Sequence, residues 1–160
     1  MLAELIIPAK DLAVVKTFDG NSDQLGHYLK NRNWDPNHLP ALAILGVPEA
    51  RGSQAPDQAD AADAIRQQLY SLTCFSPEFH LIDLGNIICG NVPNDTYAAT
   101  RMVADELSEL GIRLLILGGS ILPSQLICYL ASCHVLHSVR HEWCLTNQLP
   151  HRSLLETADP

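Results

Sequence analysis

The run Arg113-Leu114-Leu115-Ile116-Leu117-Gly118-Gly119-Ser120 limits the folds open to this chain more than any other stretch. Its apolar residues, Leu114 to Leu117, are not interrupted by polar ones. They suit a strand covered on both faces, as in a parallel sheet. The two glycines at its carboxyl end let the backbone turn tightly beneath a ligand. In open α/β sheets, ligands bind at that end of the strands.

Two segments of the same texture precede it. Ala41-Leu42-Ala43-Ile44-Leu45-Gly46-Val47 is an apolar run ended by Pro48 and followed by the polar loop Glu49-Ala50-Arg51-Gly52-Ser53. Phe79-His80-Leu81-Ile82-Asp83-Leu84-Gly85 is a second strand, interrupted by Asp83. Between these two, Pro56 and Asp57 suit the first turn of a helix, and Ala61, Ile65, Leu69 and Leu72 recur at helical spacing as its expected buried stripe. Between the second and third runs, Asn94-Asp95-Thr96 is a helix start, and Ala99, Val103, Leu107 and Leu110 form a stripe that stops at Gly111. Strand, helix, strand, helix, strand at this spacing predicts two right-handed crossovers. The fold class is therefore α/β, a three-layer α/β/α parallel sheet.

Residues 1 to 40 read as an amino-terminal extension with a short helix capped by Ser22, with Leu25, Tyr28 and Leu29 on one face. A loop follows from Asn31 to Pro40, in which Trp34 is either a packing plug or a binding residue. Two polar residues inside the elements leave alternatives open. Arg66 lies one step off the expected stripe and is either a solvated or sheet-edge arginine or part of a substrate or interdomain salt bridge. Asp83 must find donors if buried, so it is either hydrogen-bonded to loop amides or a site carboxylate.

With 160 residues, 47% of them hydrophobic, the chain suits one globular domain with a sizeable core. The net charge of −8, with only ten scattered Lys and Arg, argues against a nucleic-acid or anionic-membrane surface and for small-molecule or protein partners. The first eight residues carry Glu4 and lack a basic segment, so no signal peptide is expected. No run of about eighteen apolar residues occurs, so no membrane-spanning helix is expected either. Five cysteines without framework spacing suit a reducing, cytoplasmic setting. Ser120 lacks a Gly-x-Ser-x-Gly elbow, and no glycine cluster makes a dinucleotide fingerprint or a phosphate loop.

Five pieces in order carry a family resemblance: Leu45-Gly46-Val47-Pro48-Glu49 with Arg51-Gly52; Ala64-Ile65-Arg66 with Leu69-Tyr70; Ile82-Asp83-Leu84-Gly85-Asn86-Ile87; Asp95-Thr96-Tyr97; and Ile116-Leu117-Gly118-Gly119-Ser120. Residues 41–120 resemble the amino-terminal part of the arginase, agmatinase and formimidoylglutamase (ureohydrolase) family, closest to the formimidoylglutamase-like branch. The resemblance implies the amino-terminal half of an arginase-like fold and hydrolysis of linear amidine or guanidino C–N bonds at a centre of two manganese ions. Such ions lower the pKa of a bridging water. It also implies that Glu49, Arg51 and Gly52 lie in a substrate loop and Gly118, Gly119 and Ser120 in the loop next to the metals.

The chain departs from the family after Ser120. Ile121-Leu122-Pro123 supplies no metal-binding side chain, and Glu142, Glu156 and Asp159 are the only carboxylates in residues 121–160. None of them falls in the family's Asp-x-His-x-Asp or Asp-x-Asp arrangement, so the dinuclear centre cannot be assembled from these residues. The tail instead holds three of the five cysteines and four of the seven histidines. This change of texture is what a shifted reading frame or a truncation would leave: family-like codons for Gln-Asp-Leu-Thr-Leu, read one base late, yield Arg-Ile-Leu-Pro-Ser, which without its first residue is the run Ile121 to Ser124. At face value, Pro123 opens a helix through Leu126, Ile127 and Leu130. Cys133, His134, His137 and His141 then invite a zinc reading with the histidines on one helical face, although no Cys-x-x-Cys pair accompanies them. A sheet ending at Leu117 would expose an apolar edge, which predicts self-association there.

Overall fold

The three apolar runs form β2 (Leu42–Gly46), β3 (Leu81–Ile87) and β4 (Arg113–Leu117), and they lie side by side in parallel. These strands belong to a computed structural model that describes residues 2–32, 34–35, 37–51, 59–73, 80–118 and 136–139. The sheet order is β1-β3-β2-β4-β5, with β1 at Ile6–Pro8 and β5 at Leu136–Val139. The protein is thus a mixed α/β structure with an open sheet. Because β1 runs antiparallel on β3, the sheet is not wholly parallel as the strand-and-helix alternation predicts. A three-residue strand ending in a proline, which lacks a ladder donor, suits the edge position it occupies. At the other side, β5 pairs with Leu114 to Leu117, so β4 is not the edge strand expected from the sequence.

Side chains alternate along the central strands and feed two separate cores. Ala43, Leu45, Leu114 and Ile116 pack with Val103, Ala104 and Leu107 of α5 (Pro93–Glu109). Ile44 and Leu117 pack with Val15 of α2 (Ala13–Lys16), Leu29 of α3 (Leu25–Lys30), and Ala62 and Tyr70 of α4 (Ala61–Tyr70). A four-residue helix, α1 (Leu2–Leu5), and a 3-10 turn, Ala9–Asp11, flank β1. Trp34 packs half-buried against the first core, as the packing alternative expects.

The helix boundaries follow their local chemistry. Pro93 opens α5, where its missing N–H costs nothing, and the Asp95 carboxylate accepts the Val92 N–H at 3.1 Å. The helix ends at Gly111, with φ +72, as the sequence predicts. Helix α3 starts after Gln24 and not at Ser22; Gln24 Oε1 accepts the Asn21 N–H at 2.8 Å. The larger correction concerns α4. Its buried residues are Ala62, Arg66 and Tyr70, one position on from the expected stripe, while Leu72 is 56% exposed beyond the helix end. Polar partners on β3 turn the helix about its axis, so that Arg66 and Tyr70 face the sheet. The proposed start of this helix at Pro56 and Asp57 lies outside the described residues.

Candidate functional site

The loop after β2 returns to the sheet through Glu49, which is 2% exposed although it is a carboxylate in a surface loop. Its oxygens accept hydrogen bonds from Arg51: the backbone N–H at 2.9 Å, Nε at 3.0 Å, and Nη2. Arg51 in turn donates from Nη1 to the carbonyls of Gly90 at 3.0 Å and Asn91 at 2.7 Å, and from Nη2 to the Thr96 hydroxyl at 3.2 Å. Thr96, in the first turn of α5, also accepts the Gly90 N–H at 3.1 Å. Because β2 and β3 are parallel, both loops leave from the carboxyl edge, and one arginine ties them together. The structure therefore brings Glu49 and Arg51 into direct contact; Gly52 lies outside the described residues.

The electrostatics of this cluster make it an anchor. The hydrogen bond from the Arg51 side chain lowers the Glu49 pKa against the opposing effect of burial, so the group stays ionised. The same pairing raises the Arg51 pKa. Burial first, then the Glu49 charge, raises the pKa of the exposed Cys89 thiol, whose Sγ donates to the Pro48 carbonyl at 3.4 Å. A thiol held protonated is a poor nucleophile. Glu49 likewise has no proton to give, and its oxygens are already engaged.

Gly118 closes β4 with φ +74, and a Cβ there would lie 2.5 Å from the backbone nitrogen of Ala62, so the glycine is required by the close approach of α4. The neighbouring Leu117 carbonyl accepts the Val47 N–H at 2.9 Å, which joins this strand end to the Glu49 loop. Gly119 and Ser120 lie outside the described residues, as do the helix through Leu126 to Leu130 and Cys133, His134 and His141. His137 falls in β5, so the single helical face proposed for His134, His137 and His141 is not formed at that position.

A second polar network, larger and deeper, joins α4 to β3. The Arg66 guanidinium is fully buried. Nε donates to Asp83 Oδ2 at 2.7 Å and Nη2 to Asp83 Oδ1 at 3.0 Å and to the Gly85 carbonyl at 2.8 Å. Nη1 donates to Asp63 at 2.8 Å and to the Asn86 side-chain oxygen at 2.7 Å. These bonds use all of the donors a guanidinium has. Asp83 also accepts the Tyr70 hydroxyl at 2.9 Å and the Gly85 N–H at 2.8 Å. Burial, the largest influence, works against the charge on Arg66, yet the hydrogen bonds and charge of Asp83 leave its pKa raised. Burial, reinforced by Asp83, pushes the Tyr70 phenol far above its usual range. Arg66 is therefore neither solvated nor at a sheet edge. The one amide among these partners of Asp83, that of Gly85, lies within β3 and not in a loop as one alternative expects, and the principal partner is the arginine.

The sequence carried a signal for this network that the stripe concealed. Asp83 and Asn86 bracket Gly85 inside a strand, and a lone strand glycine marks a bulge. Gly85 has φ +108, and the pairing with β2 shifts from Ile44↔Asp83 to Leu45↔Gly85. The bulge turns Asn86 onto the face that Asp83 occupies.

The described carboxylates nearest the carboxyl edge do not fit a two-manganese centre, since Glu49 is bound by Arg51, Asp63 by Arg66, and Asp95 by the Val92 N–H. Among the described residues no group of three or more His, Cys, Asp or Glu is placed to hold a metal ion. No helix among them is long and apolar enough to cross a membrane. Comparison with family models, curated proteins and solved structures finds no match to this chain.

Proposed function

We propose that this chain is the amino-terminal scaffold of a ureohydrolase-like hydrolase of linear amidine or guanidino C–N bonds, closest to formimidoylglutamases, and that alone it does not catalyse that reaction. One observation carries the proposal. The segments that give the chain its resemblance are far apart in sequence, and their polar residues bond one another: Arg51 with Thr96, and Arg66 and Tyr70 with Asp83. Segments that evolve as one scaffold should meet in this way, whereas chance matches to short motifs have no reason to. In this reading the sheet with helices on it is half of a three-layer arginase-like fold, and the protein works in the cytoplasm.

The chemistry follows from how the polar groups are spent. Hydrolysis of an amidine needs a nucleophilic water and groups that stabilise charge as it develops on the reacting carbon's nitrogens. Glu49, Asp63 and Asp83 are each paired with an arginine, so they hold a loop, a helix and a strand in place, and none of the three is poised to activate water. The purified chain, incubated with arginine, agmatine or formimidoylglutamate and added Mn2+, is expected to release no urea or formamide above a protein-free control. Turnover with stoichiometric bound manganese would overturn the proposal.

A second reading, a non-catalytic binding or oligomerisation module of the same fold, draws on a different observation. Ile88 and Val92 are 46% and 50% exposed on the loop whose Gly90 and Asn91 carbonyls Arg51 holds. An apolar pair on a fixed loop suits a contact with another chain, and a homo-oligomer could also form by pairing along a sheet edge. Sedimentation showing a monomer for the parent chain would remove this reading. A dimer that Ile88→Ser dissociates would favour it.

A further inference from the structure

The chain carries a formal charge of −8, yet three of its ten basic side chains, Lys10, Lys30 and Arg32, line one cleft of about 270 Å³. The cleft runs along β3 on the side away from β2, since Pro8 and Ala9, at the end of β1, help to enclose it. Its walls are apolar, supplied by Val15, Leu29, Trp34 and Ile82. The acid in its described lining is Asp83, already bound by Arg66 and Tyr70. The local field is therefore positive in a protein that is negative overall.

Two of the three cations are held in place. The Arg32 guanidinium carbon lies 4.2 Å from the centre of the Tyr28 ring, a cation–π contact that fixes a long side chain. Lys30 Nζ donates to the Phe18 carbonyl at 3.3 Å, and an ammonium group carries three donors. Arg32 also lines a neighbouring cleft of about 480 Å³ with Asn31, the acid Asp35, and His38 and His80, whose rings stack at 4.2 Å with their Nε2 atoms 3.2 Å apart. One guanidinium thus stands between an apolar recess and a polar one.

A recess with apolar walls and a basic rim selects the opposite layout in its ligand, an apolar body ending in one negative group. The volume falls just below the roughly 300–1,000 Å³ of drug-sized sites, so the ligand is small. We propose that this cleft binds a small amphipathic monocarboxylate, with the carboxylate held by Arg32, Lys10 and Lys30 and the apolar body laid against Trp34, Val15 and Leu29. The site borders the Arg66 network through Asp83 and Tyr70 but includes no residue of the Glu49–Arg51 loop, and binding of a monocarboxylate is read separately from amidine hydrolysis.

Trp34 and Trp143 are the two tryptophans, so Trp143→Phe leaves Trp34 as the reporter. That variant, titrated with sodium hexanoate and with hexan-1-ol, is expected to show a saturable change in Trp34 emission. Hexanoate should bind about tenfold more tightly than the alcohol, because charge-assisted hydrogen bonds are lost with the carboxylate. Added salt should weaken hexanoate and leave hexanol unchanged. Arg32→Gln and Lys10→Gln should each weaken hexanoate several-fold. Lys10 lies exposed on the 3-10 turn, so its substitution tests the idea even if Arg32→Gln unfolds the chain. No saturable change, equal binding of acid and alcohol, or affinity indifferent to Lys10→Gln would overturn the proposal.

Discussion

Asp83 and Asn86 stand three positions apart on β3, yet both bond the same Arg66 guanidinium. In an unbroken strand, residues at that spacing point to opposite faces. The bulge at Gly85 reconciles the two, and the arginine then has a partner for every donor. The buried network thus depends on one glycine.

Gly85→Ala should therefore be far costlier than an ordinary exposed glycine replacement. Its φ of +108 is strained for any side chain, and a Cβ there would overlap the Ile7 carbonyl oxygen. Strain of this kind alone costs about 1–3 kcal/mol. Urea unfolding is expected to show at least that loss, with amide exchange at Ile6 and Ile7 accelerated more than in β4. A loss below about 0.5 kcal/mol would show that the bulge is dispensable.

Acidification should act through Glu49. A group whose folded pKa is lowered contributes stability that is present above its unfolded pKa and lost as pH falls through the folded value. Glu49→Gln should accordingly be less stable than the parent at pH 7, and the difference should shrink as pH drops below the ordinary carboxylate range. Urea midpoints from pH 7 to pH 3 provide the check. A difference that is constant across this range would mean that the Arg51 pairing contributes no ionic stabilisation.

Alkali should act through Tyr70 with the opposite sense. Its folded pKa is raised, so the stabilisation is intact below the ordinary phenol pKa and is lost as pH rises beyond it. Tyr70→Phe removes one hydrogen bond to Asp83 and should cost about 1–3 kcal/mol near neutrality, since the acceptor is charged. The variant should also lose less stability than the parent as pH is raised past 10. Phenolate absorbance of the folded parent that includes Tyr70 at its ordinary pKa would contradict this.

Much of the scaffold was legible from periodicity. The runs at 41–47, 79–85 and 113–117 and the helix ending before Gly111 announce themselves because burial on both faces and a helical stripe leave plain marks, although β3 continues to Ile87, beyond the run's end at Gly85. The antiparallel β1 was not legible, since three residues ending in a proline are too few to show a period. Nor was the rotation of α4. Ile65 and Leu69 outrank Arg66 and Tyr70 on any hydrophobic pattern, and only the partner on β3 explains why the polar residues face inward. The sequence placed Glu49 and Arg51 in a substrate loop by resemblance, but their contact was not legible, because Thr96 and the Gly90 and Asn91 carbonyls that converge on Arg51 lie some forty residues further along the chain.

The claim that unites these results is that the buried polar residues of α4 and β3 are spent on holding this fold together. A double-mutant cycle on Arg66→Met and Asp83→Leu, read by urea unfolding, tests it most directly. Arg66→Met strands the buried Asp83 carboxylate and Asp83→Leu leaves the buried Arg66 with the partly exposed Asp63 as its counter-charge. Each single change should cost about 3–5 kcal/mol, while the double variant should recover part of that loss, giving a coupling of at least about 2 kcal/mol. Single losses below about 1 kcal/mol that simply add in the double variant would contradict the claim.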